Sequence, residues 1–492
     1  MINIEILSTS FRIYCSHDGM IGDKQDLKIK PFLEINLSEW DFDKFKRRIL
    51  KHRYVVFDKN KNYLYFPKYF LNLLTNLLIK FNKTYKLTYF PSNKFIQIDS
   101  KLNPKLIDKK DQAKAVDFIL KSKNSMCCME LQTGFGKTYI SIKAAILLKK
   151  TFLVLAPTHL IPQWEKSLFN ITDLKEEDIY ILKEKDSIIH LIKNDFKDNY
   201  KCYIGSIYTL TNYIKNTNNL YKNMIRFDEF IRKLKIGTKI IDEVHLNFYQ
   251  IILLDMLCNI DTNIYLSGTY IRSSRQSNLI FQRTFPKEIK FTLDEYDKFV
   301  NITEYNYSIG YINNRHVMTE RGYNQVKYEK YLLKRITKFN AVYNIISSIF
   351  FNKYISIKKK NDKCLILVKM KDITKKIVSK LKEEYKSDNL NIGEYLYETS
   401  NSQLEKLDVI VSTIGSCGVG KDIKDLRTVI LFDSFKSESN IYQTLGRLRK
   451  LKDRIPEYAF MQNVDIPSHL YHRRIRRNIL KHLTNNYQII NY

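Results

Sequence analysis

Eight residues, Leu131 to Thr138 (LQTGFGKT), follow the apolar run MCCME and precede a segment of helical character. That order of strand, glycine-bearing loop and helix is what a phosphate cradle needs, because backbone N–H groups at a helix N-terminus face the anion. Thr133, Gly134, Phe135 and Gly136 are therefore expected to wrap a nucleotide, Lys137 to reach its β and γ oxygens, and Thr138 to offer a hydroxyl to Mg²⁺. The strict phosphate-loop pattern would put glycine where Leu131 stands. Farther on, KIIDEVH sets Asp242 at the end of an apolar run, where a carboxylate can hold Mg²⁺ directly or through water. Glu243 beside it is suited to polarise an attacking water, and His245 to couple that site to a neighbouring element, packing being its plainer role. No N-K-x-D segment is present to read guanine, so ATP is the preferred nucleotide.

These residues need a scaffold, and the chain supplies apolar runs that alternate with helix-like segments. MCCMEL, TFLVLAP, KCYIGSIYTL, TKIIDEVH and NIYLSGTY form one series, and KCLILVKM, LDVIVSTIG, RTVILFDS and EYAFMQNV a second. Continuous apolar strands between helices belong to parallel sheets covered on both faces, so two tandem α/β units are expected. Residues from about 290 to 340 lack a strong period and are expected to connect the two units. Glycine is scarce, 14 in 492 residues against a usual share of about 7%, and half of the glycines fall in LQTGFGKT, YLSGTY, STIGSCGVGKD and YQTLGRLRK. Such placement marks tight turns and close approach to a ligand.

Composition narrows the partner. Lys and Arg number 82 against 52 Asp and Glu, a formal charge of +30 at pH 7 on a chain that is 44% hydrophobic. That is a folded body with a field that attracts polyanions, nucleic acid first. Seven cysteines show no C-x-x-C pair, which argues against a zinc site or a disulfide framework and for reduced thiols in a cytosolic compartment, the host cytosol included. Neither a signal peptide nor a membrane span is expected from the sequence. The heavy use of Lys, Asn, Ile and Tyr resembles that of an AT-rich genome and hints at a viral or phage origin.

Taken in order over residues from about 106 to 450, these segments resemble superfamily 2 helicases of the D-E-x-H kind. Within that superfamily GFGKT, the P-x-x-x-L-x-x-Q-W element and QTLGR are most similar to the branch of XPB-like and UvsW-type DNA helicases and the poxvirus transcript-release helicase. The resemblance implies that Gln112 contacts adenine. It also implies that Pro157, Thr158, Gln163 and Trp164 of APTHLIPQW, together with Ser206, Ser267, Thr269 and Thr413, face nucleic acid or transmit its movement. From the second unit it implies that Gly420 and Asp422 bind nucleotide, and that Gln443, Arg447 and Arg449 act in catalysis. The implied fold is α/β, two RecA-like parallel-sheet domains with a small α+β N-terminal domain. The expected boundaries are 1–98 for a nucleic-acid-binding accessory domain, 99–289 for the ATP-binding domain, 290–470 for the C-terminal helicase domain and 471–492 for a basic C-terminal helix. The implied activity is ATP- and Mg²⁺-dependent unwinding or remodelling of single-stranded, duplex or branched DNA or of RNA–DNA hybrid, with ATP bound between the two units; a monomer is compatible with it.

The sequence departs from the family at its last motif, where Lys450 stands at the usual arginine-finger position and Arg449 one place early. A planar guanidinium spreads over phosphate charge better than an ammonium does, so Arg447 is the first choice and Arg449 the second. An RNA helicase and a poorly hydrolysing nucleic-acid scaffold are the alternatives; Lys137, Asp242 and Glu243 argue for the enzyme. In the tail, Arg473, Arg474, Arg476 and Arg477 cluster on an expected helix, a DNA contact and a solvated face being equally weighted.

Overall fold

The computed structural model describes residues 2–14, 34–41, 46–53, 56–58, 63–80, 82–122, 125–132, 134–217, 225–268, 275–293, 298–320, 322–396, 401–416, 423–451, 453–484 and 486–492. The chain divides into two units, residues 1–293 and 294–492.

The first unit begins with β1 (Ile2–Ile6), β2 (Ser10–Tyr14), β3 (Glu34–Asp41), β4 (Lys46–Arg53), β5 (Val56–Asp58), β6 (Tyr63–Pro67) and β7 (Tyr85–Tyr89). Five of these form a small sheet in the order β5-β6-β2-β1-β7, while β3 and β4 pair with each other as a separate antiparallel ribbon. Alternation along β1 and β2 sends Ile4, Ile6, Phe11 and Ile13 into a core shared with the helix Phe248–Leu257. The turn at Ser8–Ser10 satisfies the end of that helix: Thr9 Oγ1 donates to the Asp255 carbonyl (2.7 Å) and Ser10 Oγ to that of Met256 (3.3 Å).

The rest of the unit is a seven-stranded, all-parallel sheet. Its strands are β8 (Met126–Glu130), β9 (Phe152–Leu155), β10 (Ile179–Leu182), β11 (Cys202–Gly205), β12 (Thr238–Ile241), β13 (Thr262–Ser267) and β14 (Lys290–Thr292), in the order β10-β11-β9-β12-β13-β8-β14. Both faces are covered: Cys127, Met129, Val154 and Ile240 pack with Ile140, Ala144, Trp164 and Leu168, and their neighbours Cys128, Leu153, Leu155 and Ile241 pack with the helices on the other side. This two-sided burial is why the strands read as unbroken apolar runs. Lys239 interrupts one of them and is fully buried, where it is paired with Asp255, which also accepts the Tyr265 hydroxyl (2.8 Å).

The second unit repeats the plan with β15 (Asn301–Tyr307), β16 (Met318–Thr319), β17 (Gly322–Tyr323), β18 (Lys363–Val368), β19 (Ile392–Tyr395), β20 (Val409–Thr413), β21 (Leu426–Leu431), β22 (Glu457–Asn463) and β23 (Asn486–Asn491). Its main sheet is also parallel throughout, in the order β19-β20-β18-β21-β22-β15-β23. The architecture is therefore α/β, two tandem RecA-like sheets with a small N-terminal sheet.

Two local expectations differ from the structure. Within the stretch read as a connector, Asn301–Tyr307 is a strand whose side chains are nearly all buried. The tail is not a basic helix alone: the helix Pro467–Leu480 is followed by β23, which pairs with β15. Among the described residues no helix is long and apolar enough to cross a membrane.

Candidate active site

Three parallel neighbours, β8, β13 and β12, bring their carboxyl ends together, as their registers require: Ser267 lies opposite Glu130, and Ile241 opposite Tyr265. The loop after β8 turns through Gly134 (φ 89°) and Gly136 (φ 101°), conformations that suit glycine. A Cβ on Gly136 would also lie 2.5 Å from Gln112 Nε2. Gln112 is buried and fastens the loop, its Nε2 donating to the Phe135 carbonyl (2.6 Å) while its Oε1 accepts from Lys109 N (2.9 Å). Lys137 opens the helix Lys137–Leu147, followed by Thr138, so the ammonium joins the N–H groups of a helix N-terminus. Its Nζ donates to the Leu131 carbonyl (3.3 Å). An ammonium and a ring of backbone donors on a glycine turn make an anion site.

Asp242 follows β12 and is almost wholly buried. Its Oδ2 accepts from Trp164 Nε1 (3.0 Å) and its Oδ1 from Glu243 N (2.9 Å). Burial, with the adjacent Glu243 charge, lifts its carboxyl to about 6, although the Lys137 charge and the two donors pull the other way. Glu243 has φ 50°, a left-handed backbone that a non-glycine residue adopts at a cost of roughly 1–3 kcal/mol. His245 Nδ1 lies 3.2 Å from Glu243 Oε2 and 3.0 Å from Ser267 Oγ. A carboxylate pair, one member buried and fixed and the other held by an imidazole, sits where a metal ion and a water could be used on a phosphoryl group.

The residues expected at nucleic acid differ in burial. Trp164, 1% exposed, was expected to face nucleic acid; its ring packs inside and its N–H serves Asp242. The spacing Leu160, Trp164, Leu168, all buried, was the signal for an inward face. Ser267 is fully buried and its hydroxyl meets His245. Thr413 is buried, and its Oγ1 donates to Ser416 Oγ (2.8 Å) and accepts Ser416 N (3.1 Å), closing a local turn. Ser206 caps the helix Ile207–Thr217 by accepting Thr209 N (3.0 Å). Pro157 is half-buried, and Thr158 and Gln163 are exposed. Thr158 and Ser206 line a cleft of about 360 Å³ with residues that motif reading passed over, Tyr208 and Asn212 among them.

In the second unit Gln443 lies half-buried on the helix Glu438–Leu445, and Arg447 is buried just after it. Arg449 folds back onto the Gly446 and Leu448 carbonyls, whereas Lys450 is exposed. Thr133, Thr269, Gly420 and Asp422 lie outside the described residues.

Of the four tail arginines only Arg474 is exposed. Arg476 is fully buried between Phe435 and Phe460 (4.9 Å to each ring centre), and Arg477 makes two hydrogen bonds to Glu304 (2.7 and 3.1 Å). Arg473 donates to Asn306 (3.3 Å), so three of the four turn toward the sheet rather than outward as a DNA-gripping face would need.

Comparison with known proteins gives the same two-part division. Residues 105–272 match the family model for the type III restriction enzyme, res subunit, and residues 337–452 the helicase conserved C-terminal domain; together they span more than half of the chain. No curated protein matches the sequence. Among solved structures, S. cerevisiae Dbp5 bound to RNA and ADP BeF3 is similar at 13% identity and a TM-score of 0.51, over 85% of this chain and 93% of that one. T4 UvsW matches at 16% identity over 100% and 99% of the two chains with a TM-score of 0.37. The Pyrococcus furiosus Hef helicase domain matches at 14% over 74% and 97%, with a TM-score of 0.44. With a helicase C-terminal domain following a nucleotide-site domain on two parallel sheets, the chain belongs to the superfamily 2 helicases, enzymes that hydrolyse ATP and bind nucleic acid.

Proposed function

We propose that the chain uses ATP and Mg²⁺ to move along DNA and to separate or remodel duplex, forked or branched forms of it. The observation that supports this reading most is the set of neighbours at the ends of β8, β12 and β13: Lys137 on a helix N-terminus, a buried Asp242 and a constrained Glu243. Asp242 and the Thr138 hydroxyl form a sparse oxygen set, which suits an ion that keeps several waters and binds through one carboxylate and substrate phosphates. Among the described residues no cluster of three His, Cys, Asp or Glu side chains offers a fuller cage. The raised Asp242 carboxyl reflects surplus negative charge in a dry site, which a divalent cation relieves. Bound Mg²⁺ supplies neutralisation of the phosphate oxygens.

The chain's own residues do the rest in this reading. Lys137 and the helix N–H groups hold the β- and γ-phosphates, Gln112 keeps the loop in shape, and Trp164 holds Asp242 in one direction. Glu243 orients the attacking water and accepts its proton, while His245 ties the Glu243 carboxylate to Ser267 at the end of β13. Gln443 and Arg447, and Arg449 after them, are assigned to hydrolysis as well. DNA is preferred over RNA because the motif pattern resembles DNA helicases and because the first unit matches a model named for a restriction-enzyme subunit. RNA is the second reading, favoured by the likeness in fold to Dbp5, whose structure holds RNA.

The test is ATP hydrolysis by the wild type, Lys137→Ala and Glu243→Gln with no nucleic acid, single-stranded, duplex and forked DNA, and RNA. DNA stimulation lost in both variants supports the proposal. Stimulation by RNA alone replaces DNA with the second reading, and hydrolysis that survives in both variants overturns the site.

A further inference from the structure

The cleft of about 360 Å³ in the first unit is built at the carboxyl ends of β10 and β11, apart from the Lys137–Asp242 site. Its floor is apolar, with Ile188 and Tyr213 buried beneath it. Its rim carries the exposed Thr158 and the run Lys183-Glu184-Lys185, with the buried Ser206 beside them. Tyr208, 67% exposed, stands on the first turn of the helix Ile207–Thr217, and Asn212 follows four residues later on the same face. Neither the Tyr208 hydroxyl nor the Asn212 amide has a hydrogen-bond partner among the described residues.

An exposed aromatic ring, an apolar floor and an unused amide form a poor phosphate site. Glu184 on the rim also repels an anion that would enter deeply. The same features suit a flat, uncharged ring with a hydrogen-bonding edge, with Lys183 and Lys185 outside for the phosphates on either side of it. A base inside a duplex stack cannot present its face to a protein cleft, whereas an unpaired one can.

We infer that this cleft holds one unpaired nucleobase of the bound strand, stacked on Tyr208 with its edge toward Asn212. The inference rests on the nucleic-acid reading above and deepens it: the first unit tells separated strand from duplex through this pocket, in addition to whatever grips the backbone.

The test is equilibrium binding of the full chain to a short single-stranded DNA and to its duplex, over a series of salt concentrations, for the wild type, Tyr208→Ala and Tyr208→Trp. The expected result is that Tyr208→Ala weakens single-strand binding about tenfold, leaves duplex binding unchanged and keeps the salt slope, because stacking releases no counterions. Tyr208→Trp restores the loss. In the wild type, an abasic site scanned along the strand produces the same loss at one position, and that abasic strand costs Tyr208→Ala nothing more. Equal loss on single strand and duplex, a changed salt slope, or no loss at all in Tyr208→Ala overturns the pocket. If the wild type binds no nucleic acid, the proposed function fails with it; if it binds with a steep salt slope and Tyr208→Ala is neutral, only the pocket fails.

Discussion

Asp242 owes its direction to an indole N–H on one oxygen and the amide of a residue with left-handed backbone on the other. Trp164→Phe keeps the buried ring and removes one charge-assisted hydrogen bond, of a kind that contributes about 1.5–3 kcal/mol. The expected outcome is a several-fold rise in the Mg²⁺ concentration needed for half-maximal hydrolysis, with a melting temperature lowered by roughly 5–10 °C. Trp164→Ala should instead lower stability by roughly 3–5 kcal/mol through the cavity it leaves, measured by denaturant unfolding. Gly136→Ala meets both a positive φ and the Gln112 amide, so nucleotide binding, followed by titration of a fluorescent ATP analogue, should be lost while far-ultraviolet circular dichroism stays native.

At the scale of elements the tail departs most from what its composition suggests. Glu304 on β15 is fully buried and accepts from Arg477 and from the Tyr487 hydroxyl (2.7 Å), so the charge run binds the tail to its own sheet. Arg477→Ala should cost the second unit roughly 2–3 kcal/mol, less than the full figure for breaking a buried pair because the guanidinium keeps some water access. Arg474→Glu, at the exposed position, should leave stability unchanged, and thermal unfolding of both variants checks the contrast. Central strands such as β9, β12, β20 and β21 were legible in the sequence because burial on both faces keeps most of their positions apolar, with few polar interruptions such as Lys239. The outer strands β10, β14, β19 and β23 were not, since half-covered or exposed side chains erase that signal. In the same way the candidate-site segments GFGKT and DEVH stand out by residue type, whereas the inward turn of Trp164 and the outward turn of Tyr208 depend on helix phase and on what packs nearby.

At the scale of the whole molecule, each unit has its own core, which predicts two unfolding transitions rather than one in calorimetry. They should differ in pH response. Glu329 in the second unit accepts Lys369 N (2.9 Å), Met370 N (2.7 Å) and Gln325 Nε2 (3.0 Å), yet burial lifts its carboxyl to about 8. The folded unit thus keeps a proton that the unfolded chain releases at the ordinary glutamate value of about 4.3. The stability this group contributes is present in full below that value and is lost as pH rises through about 8. One transition should therefore move to lower temperature between pH 5 and 8, and Glu329→Gln should lower it at pH 5 while flattening its slope. The whole chain also holds only two tryptophans, Trp40 and Trp164. Because the Trp164 indole touches the carboxylate at the centre of the proposed nucleotide site, a Trp40→Phe protein carries its single tryptophan, which can be excited apart from the tyrosines, there. Its emission should change when ATP and Mg²⁺ arrive and recover on hydrolysis, so that turnover can be followed by light from the native sequence, with no label attached.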